Sequence, residues 1–536
     1  MTDAPDDRAI HDVVILGGGL AGLTLALQLR GRFPALDIVV LERATHPLPP
    51  AAHKVGESTV DIGAHYFGQT LGLRDYLQRE HILKFGLRYF FSHGREAIDA
   101  VTELGVSEVF PAPSYQLDRG LFETFLGEEV RRRGIDLRLG CRVRSVALGK
   151  GDAGHVVRCH DDVHGDHALR ARWLVDASGR AALLRRKLDL TVDNGHRVNA
   201  AWFRVDARLA PDEWSGDSAW RGRCTPPERW RSTNHLCGPG YWVWLIPLAS
   251  GAHSVGIVAD AAMHPLETFN TFERARAWLA QHQPSVARAL ERSEAKVLDF
   301  RFLRDYSHGC AQLFSADRWA LTGEAGAFLD PFYSPGSDFI AIGNTYICQL
   351  VADDQAGVPL ASRARLYGRL YQSFYDGMLA IFRDQYPLFG NVTVMAAKII
   401  WDHAFYWGVL CQLVFQQRLA DAALFADLAD ELAQARQLNE HMQATFRRWH
   451  ASAPPRNAPV MLDQRQLPWF VALNEGLHDA LDDEGVRTRL RQNVHLLRGL
   501  AASIVDRAVA DGGETLREGL ELPVAMPARV ALFAAS

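Results

Sequence analysis

Gly17-Gly18-Gly19-Leu20-Ala21-Gly22 follows an apolar, β-branched run, Asp12-Val-Val-Ile-Leu16, and opens a stretch, Leu20 to Leu29, whose apolar residues have helical spacing. A G-x-G-x-x-G turn between strand and helix is built for the pyrophosphate of a dinucleotide. Gly17 permits the tight turn, Gly19 lets phosphates approach the backbone and the helix N-terminus, and Gly22 lets the helix pack closely on the strand. Glu42 stands 20 residues after Gly22, at the end of a second buried-strand pattern, Asp37-Ile-Val-Val-Leu-Glu42, where a carboxylate accepts hydrogen bonds from ribose hydroxyls. A second constellation is Tyr241-Trp242-Val243-Trp244-Leu245-Ile246-Pro247. Tryptophans at period two face one side of a strand, and spacing alone reads them as an aromatic core stripe. A third is Lys84, within His81-Ile-Leu-Lys84-Phe85-Gly86-Leu-Arg-Tyr-Phe90. Taken alone it reads as a surface lysine at a strand edge, but a desolvated lysine loses its charge readily and becomes an amine able to do chemistry.

Elements of a doubly wound fold position these residues. Strand, helix and strand over residues 12–42 form a β-α-β unit. Helix is predicted around Ile62 to Glu80, strand around Gly86 to Ser92, helix around Arg119 to Arg133, and strand over Trp173 to Asp176. From about Val198 to Phe302 the texture turns tryptophan-rich and strand-like (200–206, 240–247, 252–259), as for an antiparallel, substrate-facing sheet inserted in the parallel one. The first fold resumes at Arg318 to Leu321, and after about Pro387 the pattern is mainly helical to Leu520, broken by Pro454 to Pro459. The fold class expected is α/β: a doubly wound parallel sheet, an inserted antiparallel sheet and a helical C-terminal region, with one module over 1–388 and the helical region over 389–536. The 536 residues carry 58 Lys+Arg against 63 Asp+Glu, a balance of −5, with no basic run beyond Arg131-Arg132-Arg133. Nucleic acid is therefore excluded as a partner. Seven scattered cysteines without a CxxC pair signal neither disulfide frame nor zinc, and His155, His160, His164 and His167 are irregularly spaced in a polar loop, so no metal is predicted. The start, Met-Thr-Asp-Ala-Pro, lacks a signal peptide's basic residues, and the apolar stretch Val392 to Phe415 holds Lys398, Asp402 and His403. That stretch reads as a buried helix rather than a membrane span, and a cytoplasmic protein is expected.

Three further pieces, Gln116 to Arg119 before a helix, Asp176-Ala-Ser-Gly-Arg180 after a strand, and Gly323-Glu324-Ala325 after Trp319-Ala-Leu-Thr, join the single G-x-G-x-x-G. In this order they resemble the para-hydroxybenzoate hydroxylase-like flavoproteins over most of residues 10 to 350, which implies FAD rather than NAD. Glu324 replaces that superfamily's usual aspartate. Within the superfamily, W-x-W-x-I-P at Trp242 to Pro247 resembles the signature of flavin-dependent halogenases, in which Trp242, Trp244 and Pro247 would obstruct direct substrate approach to the flavin. Lys54-Val55-Gly56-Glu57-Ser58-Thr59 is similar to the segment that lies against the isoalloxazine ring, and the strand around Lys84 resembles the one that presents the halogenase lysine. The resemblance implies Lys84 as the catalytic residue that holds hypohalous acid beside the substrate. It also implies FAD supplied as FADH2 by a separate flavin reductase, with dioxygen and a halide ion as co-substrates. Cofactor contacts would come from Gly17, Gly19, Gly22, Glu42, Lys54, Gly56, Glu57, Ser58, Arg119, Asp176, Gly323, Glu324 and Gly336.

Two departures bear on the substrate. After Asp330-Pro331 the families acting on free tryptophan carry Glu-Ser-Thr-Gly, whereas Phe332-Tyr333-Ser334-Pro335-Gly336 here puts Tyr333 at the glutamate's place. An electron-rich phenol or pyrrole, free or tethered to an acyl or peptidyl carrier protein, does without that base. Pro335 removes one backbone donor from the halide loop, leaving Ser334, Gly336 and Ser337 as its candidates. Tyr66, Phe90, Phe91, Trp202, Tyr333 and Phe339 are candidate pocket aromatics. The FAD cradle alone equally fits an aromatic hydroxylase or dehydrogenase without a halide site, or a non-catalytic FAD-binding protein.

Overall fold

The computed structural model describes residues 10–49, 54, 56–92, 97–517 and 529–533. The chain begins with β1 (His11–Leu16), α1 (Leu20–Arg32) and β2 (Ile38–Glu42), whose apolar runs are almost wholly buried, as parallel strands covered by helices must be. There follow β3 (Leu87–Phe91), β4 (Thr102–Gly105), α2 (Arg119–Arg132), β5 (Asp136–Leu139), β6 (Arg142–Ala147), β7 (His155–Asp161) and β8 (Gly165–Asp176). The middle of the chain supplies β9 (Val198–Val205), β10 (Thr233–Gly238), β11 (Tyr241–Pro247), β12 (His253–Asp260) and β13 (Val297–Leu303). Then come β14 (Trp319–Leu321), α3 (Gly336–Gln355), α4 (Leu360–Phe382), α5 (Val392–Phe405), α6 (Ala429–Ser452), β15 (Met461–Asp463) and α7 (Asp483–Gly512). The end of the predicted helical region, from 518 to Leu520, lies outside the described residues.

One sheet has the order β5-β2-β1-β8-β7-β6, with β14 also on β8. Its β5, β2, β1, β8 and β14 are parallel, the doubly wound part, while β7 and β6 extend it antiparallel. The long β8 serves both parts: residues 165–171 pair with β7, and its last residues lie between β1 and β14, delivering the chain to the glycine turn.

The second sheet has the order β13-β9-β12-β11-β10-β3-β4-β15. The expected antiparallel sheet over 198–302 is its first five strands. It is wider than expected because β3 and β4 from the first hundred residues and β15 from the C-terminal region complete it, with two parallel pairings, β10 with β3 and β15 with β4. Strand β11 is buried on both faces. Trp242, Trp244 and Ile246 enter the large core beneath the doubly wound sheet, and Tyr241, Val243 and Leu245 enter a second core under Phe203, Phe269 and Trp278.

The predicted helix over 62–80 is broken. A helical turn over Asp61–His65 widens into a π turn, Tyr66–Thr70, and the chain reverses at Gly72, whose φ of +72° a side chain rarely adopts, before helix resumes at Arg74. Helix α5 is buried within the large core. Its Lys398 is satisfied by Asp402 at 2.6 Å, Gln443 Oε1 at 2.8 Å and the Ile381 carbonyl at 3.0 Å, which is how an apolar run carries a charge pair inside protein. Among the described residues, no helix is long and apolar enough to cross a membrane.

Candidate active site

A cleft of about 390 Å³ runs from the glycine turn to the start of α3. Its floor at one end is Gly17, Gly19 and Glu42. Gly17 has φ +111°, and a Cβ on it would collide with the Ala177 carbonyl. A Cβ on Gly22 would collide with the Gly17 carbonyl, so Gly22 acts behind the cleft by letting α1 meet the turn. Glu42 accepts from Gly18 N and Ala44 N, both at 2.7 Å, which fixes its carboxylate at the cleft wall.

Glu123, on the inward face of α2, is fully buried between Lys54 and Arg119, whose guanidinium donates to it at 3.1 Å and to the Gly56 carbonyl at 3.3 Å. Burial opposes its charge, but Arg119 and Lys54 outweigh that and hold its carboxyl below the ordinary range. Lys54 and Arg119 thereby face the cleft near Gly19 as a cationic pair suited to a pyrophosphate. Asp176 does not reach the cleft. Its oxygens take the amides of Ser178 and Leu184 at 3.0 and 2.7 Å, which shapes the Ala177–Ala181 wall that does.

At the other end the segment 56–59 is fastened from several sides. Glu57 O accepts from Leu117 N, and Thr59 N donates to Tyr115 O at 2.9 Å. Arg204, on β9 and 1% exposed, donates to Glu57 Oε1 at 2.8 Å, Asp299 Oδ2 at 2.6 Å and the Lys54 carbonyl at 2.7 Å. Burial raises the Glu57 carboxyl even so. Trp242 and Trp244 border the cleft from β11, with indole centroids 5.7 Å apart. Trp242 Nε1 donates to Tyr386 Oη at 3.0 Å, Tyr386 donates to Asp330 at 2.6 Å, and Asp330 also holds His196 at 2.8 Å. The indole plane is thus set by a chain of buried hydrogen bonds. Pro247 ends β11 opposite His253 and does not border the cleft.

Gly323, Glu324, Ser334, Gly336 and Ser337 line the cleft. Pro335 stands just before α3, so Gly336 and Ser337 are its first two residues, whose N–H groups have no acceptor within the helix. Pro335 itself lines the cleft, and the first amides without a helical acceptor follow it at Gly336 and Ser337. Ser337 Oγ is buried without a hydrogen-bond partner.

Lys84 is not a surface residue. It is 1% exposed, and its Nζ donates to Ser58 Oγ and the Thr59 carbonyl, each at 2.8 Å. Ser58 borders the cleft and also meets Thr233 Oγ1 at 2.9 Å, so Lys84 stands one residue behind the cleft wall. Burial lowers its pKa to about 7, against the opposing pull of Asp61 and Asp338. Asp338, raised by burial to about 8, takes Gly63 N at 2.8 Å and Tyr406 Oη at 2.7 Å. Burial also raises Asp61, which takes Trp407 Nε1 at 3.0 Å. Tyr406 and Trp407 open a second π turn, Tyr406–Cys411, which is tied to the helical turn Asp61–His65 by Ile62 N donating to Tyr406 Oη at 3.1 Å.

Of the six candidate pocket aromatics, Phe339 borders the cleft. Tyr66, Phe90, Phe91 and Trp202 are core. Tyr333 is buried and donates to Asp402 at 2.8 Å. His155 starts strand β7 rather than lying in a polar loop, and it is buried, held by Arg318 O at 3.0 Å. Arg204, Glu123, Asp61, Asp338 and Thr233 were missed. Asp338 lies two residues past the glycine of a motif read as a halide loop, a signal that was available, but Arg204 has no signature in its own strand.

The donor set fits FAD: a glycine turn with a ribose carboxylate, a cationic pair beside the turn, and a partnerless buried hydroxyl with free helix amides at the far end. Fold and site define an FAD-binding enzyme of the doubly wound class. The tryptophan halogenase family model matches residues 106–386, and an NAD(P)-binding Rossmann-like model matches 15–84. The chain belongs to the tryptophan halogenase family, the FAD-dependent halogenases. A flavin-dependent halogenase of Dictyostelium discoideum is 26% identical over 439 residues, 75% of this chain and 70% of its own. A 1H-pyrrole-2-carbonyl peptidyl-carrier-protein brominase of Pseudoalteromonas luteoviolacea is 24% identical over 334 residues, 61% of this chain and 74% of its own. The crystal structure of halogenase PltM with phloroglucinol and FAD has a TM-score of 0.65 at 17% identity, covering 93% of this chain and 98% of that one.

Proposed function

We propose that this halogenase chlorinates or brominates an electron-rich aromatic, a phenol or a pyrrole, free or on a carrier protein, with Lys84 handling the oxidised halogen and a separate reductase supplying FADH2. The observation that carries the reading is the placement of Lys84: a buried amine with a lowered pKa, 2.8 Å from a serine that borders the FAD cleft. Bound FAD, once reduced, supplies the reaction with dioxygen that converts halide to hypohalous acid. The backbone turn at Gly17 and Gly19, Glu42 and the Lys54–Arg119 pair would bind its pyrophosphate and ribose. Gly336 and Ser337 would hold the halide by their helix-terminal amides. Trp242 and Trp244, fixed in place, would keep the aromatic substrate from the flavin. Hypohalous acid then has Ser58 to pass and Lys84 to meet. The neutral amine either hydrogen-bonds it or takes the halogen on nitrogen, giving up a proton as water leaves.

The substrate class rests on Tyr333. It occupies the place of the glutamate that serves free tryptophan, its hydroxyl is committed to Asp402, and burial holds its pKa well above the ordinary phenol value, so it is no base. The carrier-protein pyrrole brominase and the phloroglucinol-binding halogenase among its relatives support the same class. Seven buried cysteines, none in a disulfide, support the reducing cytoplasm.

The test is turnover with chemically reduced FAD, dioxygen and chloride or bromide, offering phloroglucinol, a free pyrrole and a carrier-bound pyrrole, with products read by mass spectrometry. Halogen-bearing product dependent on the halide is expected. Hydroxylated product without halogen, or normal flavin reoxidation with no product from any of the three, overturns the reading. NAD(P)H oxidation by the purified chain alone overturns the separate reductase.

A further inference from the structure

Cys141, Cys159, Asp161 and His167 are far from the flavin chemistry in role, and none lines the cleft. They come together through strand register. Cys159 on β7 is directly opposite His167 on β8, and Asp161, two residues along β7, shares the Cys159 face. On the other side β6 pairs Arg142 with His160, which brings the preceding Cys141 alongside. Three neighbouring strands thus present two thiols, an imidazole and a carboxylate on one face. Both cysteines are 1% exposed and Asp161 is 5% exposed.

Three of the four, Cys141, Cys159 and His167, already have the spacing of a small coordination sphere. Cys159 Sγ and His167 Nε2 are 3.2 Å apart, His167 Nε2 and Asp161 Oδ2 are 3.6 Å apart, and the ligand atoms of Cys141, Cys159 and His167 all lie within 4.8 Å of one another. Around a tetrahedral zinc, bond lengths near 2.3 Å to sulfur and 2.0 Å to nitrogen put sulfur and nitrogen about 3.5 Å apart and two sulfurs about 3.8 Å apart. His167 Nδ1 is 3.1 Å from the Gly165 carbonyl, a bond that makes Nδ1 the protonated nitrogen and turns Nε2 inward as the ligand. Asp161 Oδ1 takes the turn amides of Val163 and His164 at 3.0 and 2.7 Å, while Oδ2 lies 3.3 Å from His164 Nδ1 and 3.6 Å from His167 Nε2.

We propose that Cys141, Cys159 and His167 bind a structural zinc ion that staples β6, β7 and β8 together, with Asp161, which now groups with His164 and His167, turning its carboxylate in as the fourth ligand. Two thiolates with an imidazole select zinc over magnesium or calcium, and four protein ligands leave no open position for catalysis. The staple abuts the nucleotide end of the fold, since Cys141 N donates to the Glu42 carbonyl at 2.9 Å.

The experiment uses the untagged full chain, incubated with zinc chloride under reducing conditions and desalted, with metal measured by mass spectrometry. One equivalent per chain is expected, falling by an order of magnitude in Cys159→Ser and in His167→Asn. Cobalt alone, added to the metal-stripped wild type, should give a thiolate-to-cobalt charge-transfer band and the intense visible bands of tetrahedral coordination, a readout that needs no folded variant. A wild type that retains no zinc and gives no such band overturns the proposal. So does undiminished zinc in a well-folded Cys159→Ser, or a Cys141–Cys159 disulfide in the zinc-treated protein.

Discussion

Lys84 Nζ and Ser58 Oγ stand 2.8 Å apart, with the serine on the cleft wall and the lysine sealed behind it. A single hydroxyl therefore separates the cofactor space from the buried amine, and it offers the short route between them. Removal of the amine should spare the space itself.

Lys84→Met keeps the length of the side chain and removes the amine. FAD binding and reoxidation of reduced flavin should stay within a few-fold of wild type, because every residue assigned to the cofactor is intact, while halogenated product falls by at least about 10³-fold, the scale on which a covalent or proton-transferring group acts. Flavin reoxidation and product mass are measured on one preparation. Full halogenation by the folded variant would sink the role of Lys84.

The same substitution has a stability signature. The amine's pKa is about 7 folded and about 10.5 unfolded, so between these values the unfolded chain binds more protons and wild-type stability rises with pH. The contribution is complete above about 10.5 and is lost as pH falls through 7. Relative to Lys84→Met, wild type should gain up to about 1.4 kcal/mol per pH unit across this window, read from denaturant midpoints at pH 7 to 10. A parallel pH dependence in the two proteins would contradict a depressed lysine.

Two glycines of the nucleotide turn should separate cleanly. A Cβ on Gly19 meets no neighbouring atom nearer than Glu123 Oε2 at 4.0 Å, so Gly19→Val should fold and fail to bind FAD by filling the phosphate approach. Gly22→Ala has no room against the Gly17 carbonyl, and should lose about 1–3 kcal/mol of stability. Thermal melts and FAD fluorescence titration distinguish them. Undiminished FAD affinity in Gly19→Val would remove the site assignment.

Arg204→Met should be the most destabilising of these changes. It removes the cation shared by the buried carboxylates of Glu57 and Asp299, a loss of about 3–5 kcal/mol. It also frees the segment that shapes the flavin end, so FAD affinity falls. A denaturation midpoint equal to wild type would show that Arg204 does not hold this corner.

What was legible in the sequence was local. The β-α-β unit, the glycine turn and the tryptophan strand are each written within a few residues of one another, and the alternation that puts Trp242 and Trp244 on the cleft side follows from strand period alone. The illegible part is register and distance. Arg204 meets Glu57 across 147 positions, and Asp338 meets Gly63 across 275. No periodicity encodes such pairs. The broken helix at Gly72 and the three-residue strand β15 were missed because a turn glycine and a short strand give too little pattern, and the aromatics Tyr66 and Trp202 read as pocket residues because an apolar ring carries no mark of which cavity it faces.

Strand β15 carries a consequence for synthesis of the protein. Met461–Asp463 closes the edge of the second sheet against β4, and Asp463 accepts from Ser107 N at 3.0 Å across 356 positions of chain. That edge stays open until most of the polypeptide has left the ribosome. A nascent or truncated chain ending before Met461 leaves the backbone of β4 unpaired on this side, so late closure of the edge lengthens the interval in which another strand can pair with it.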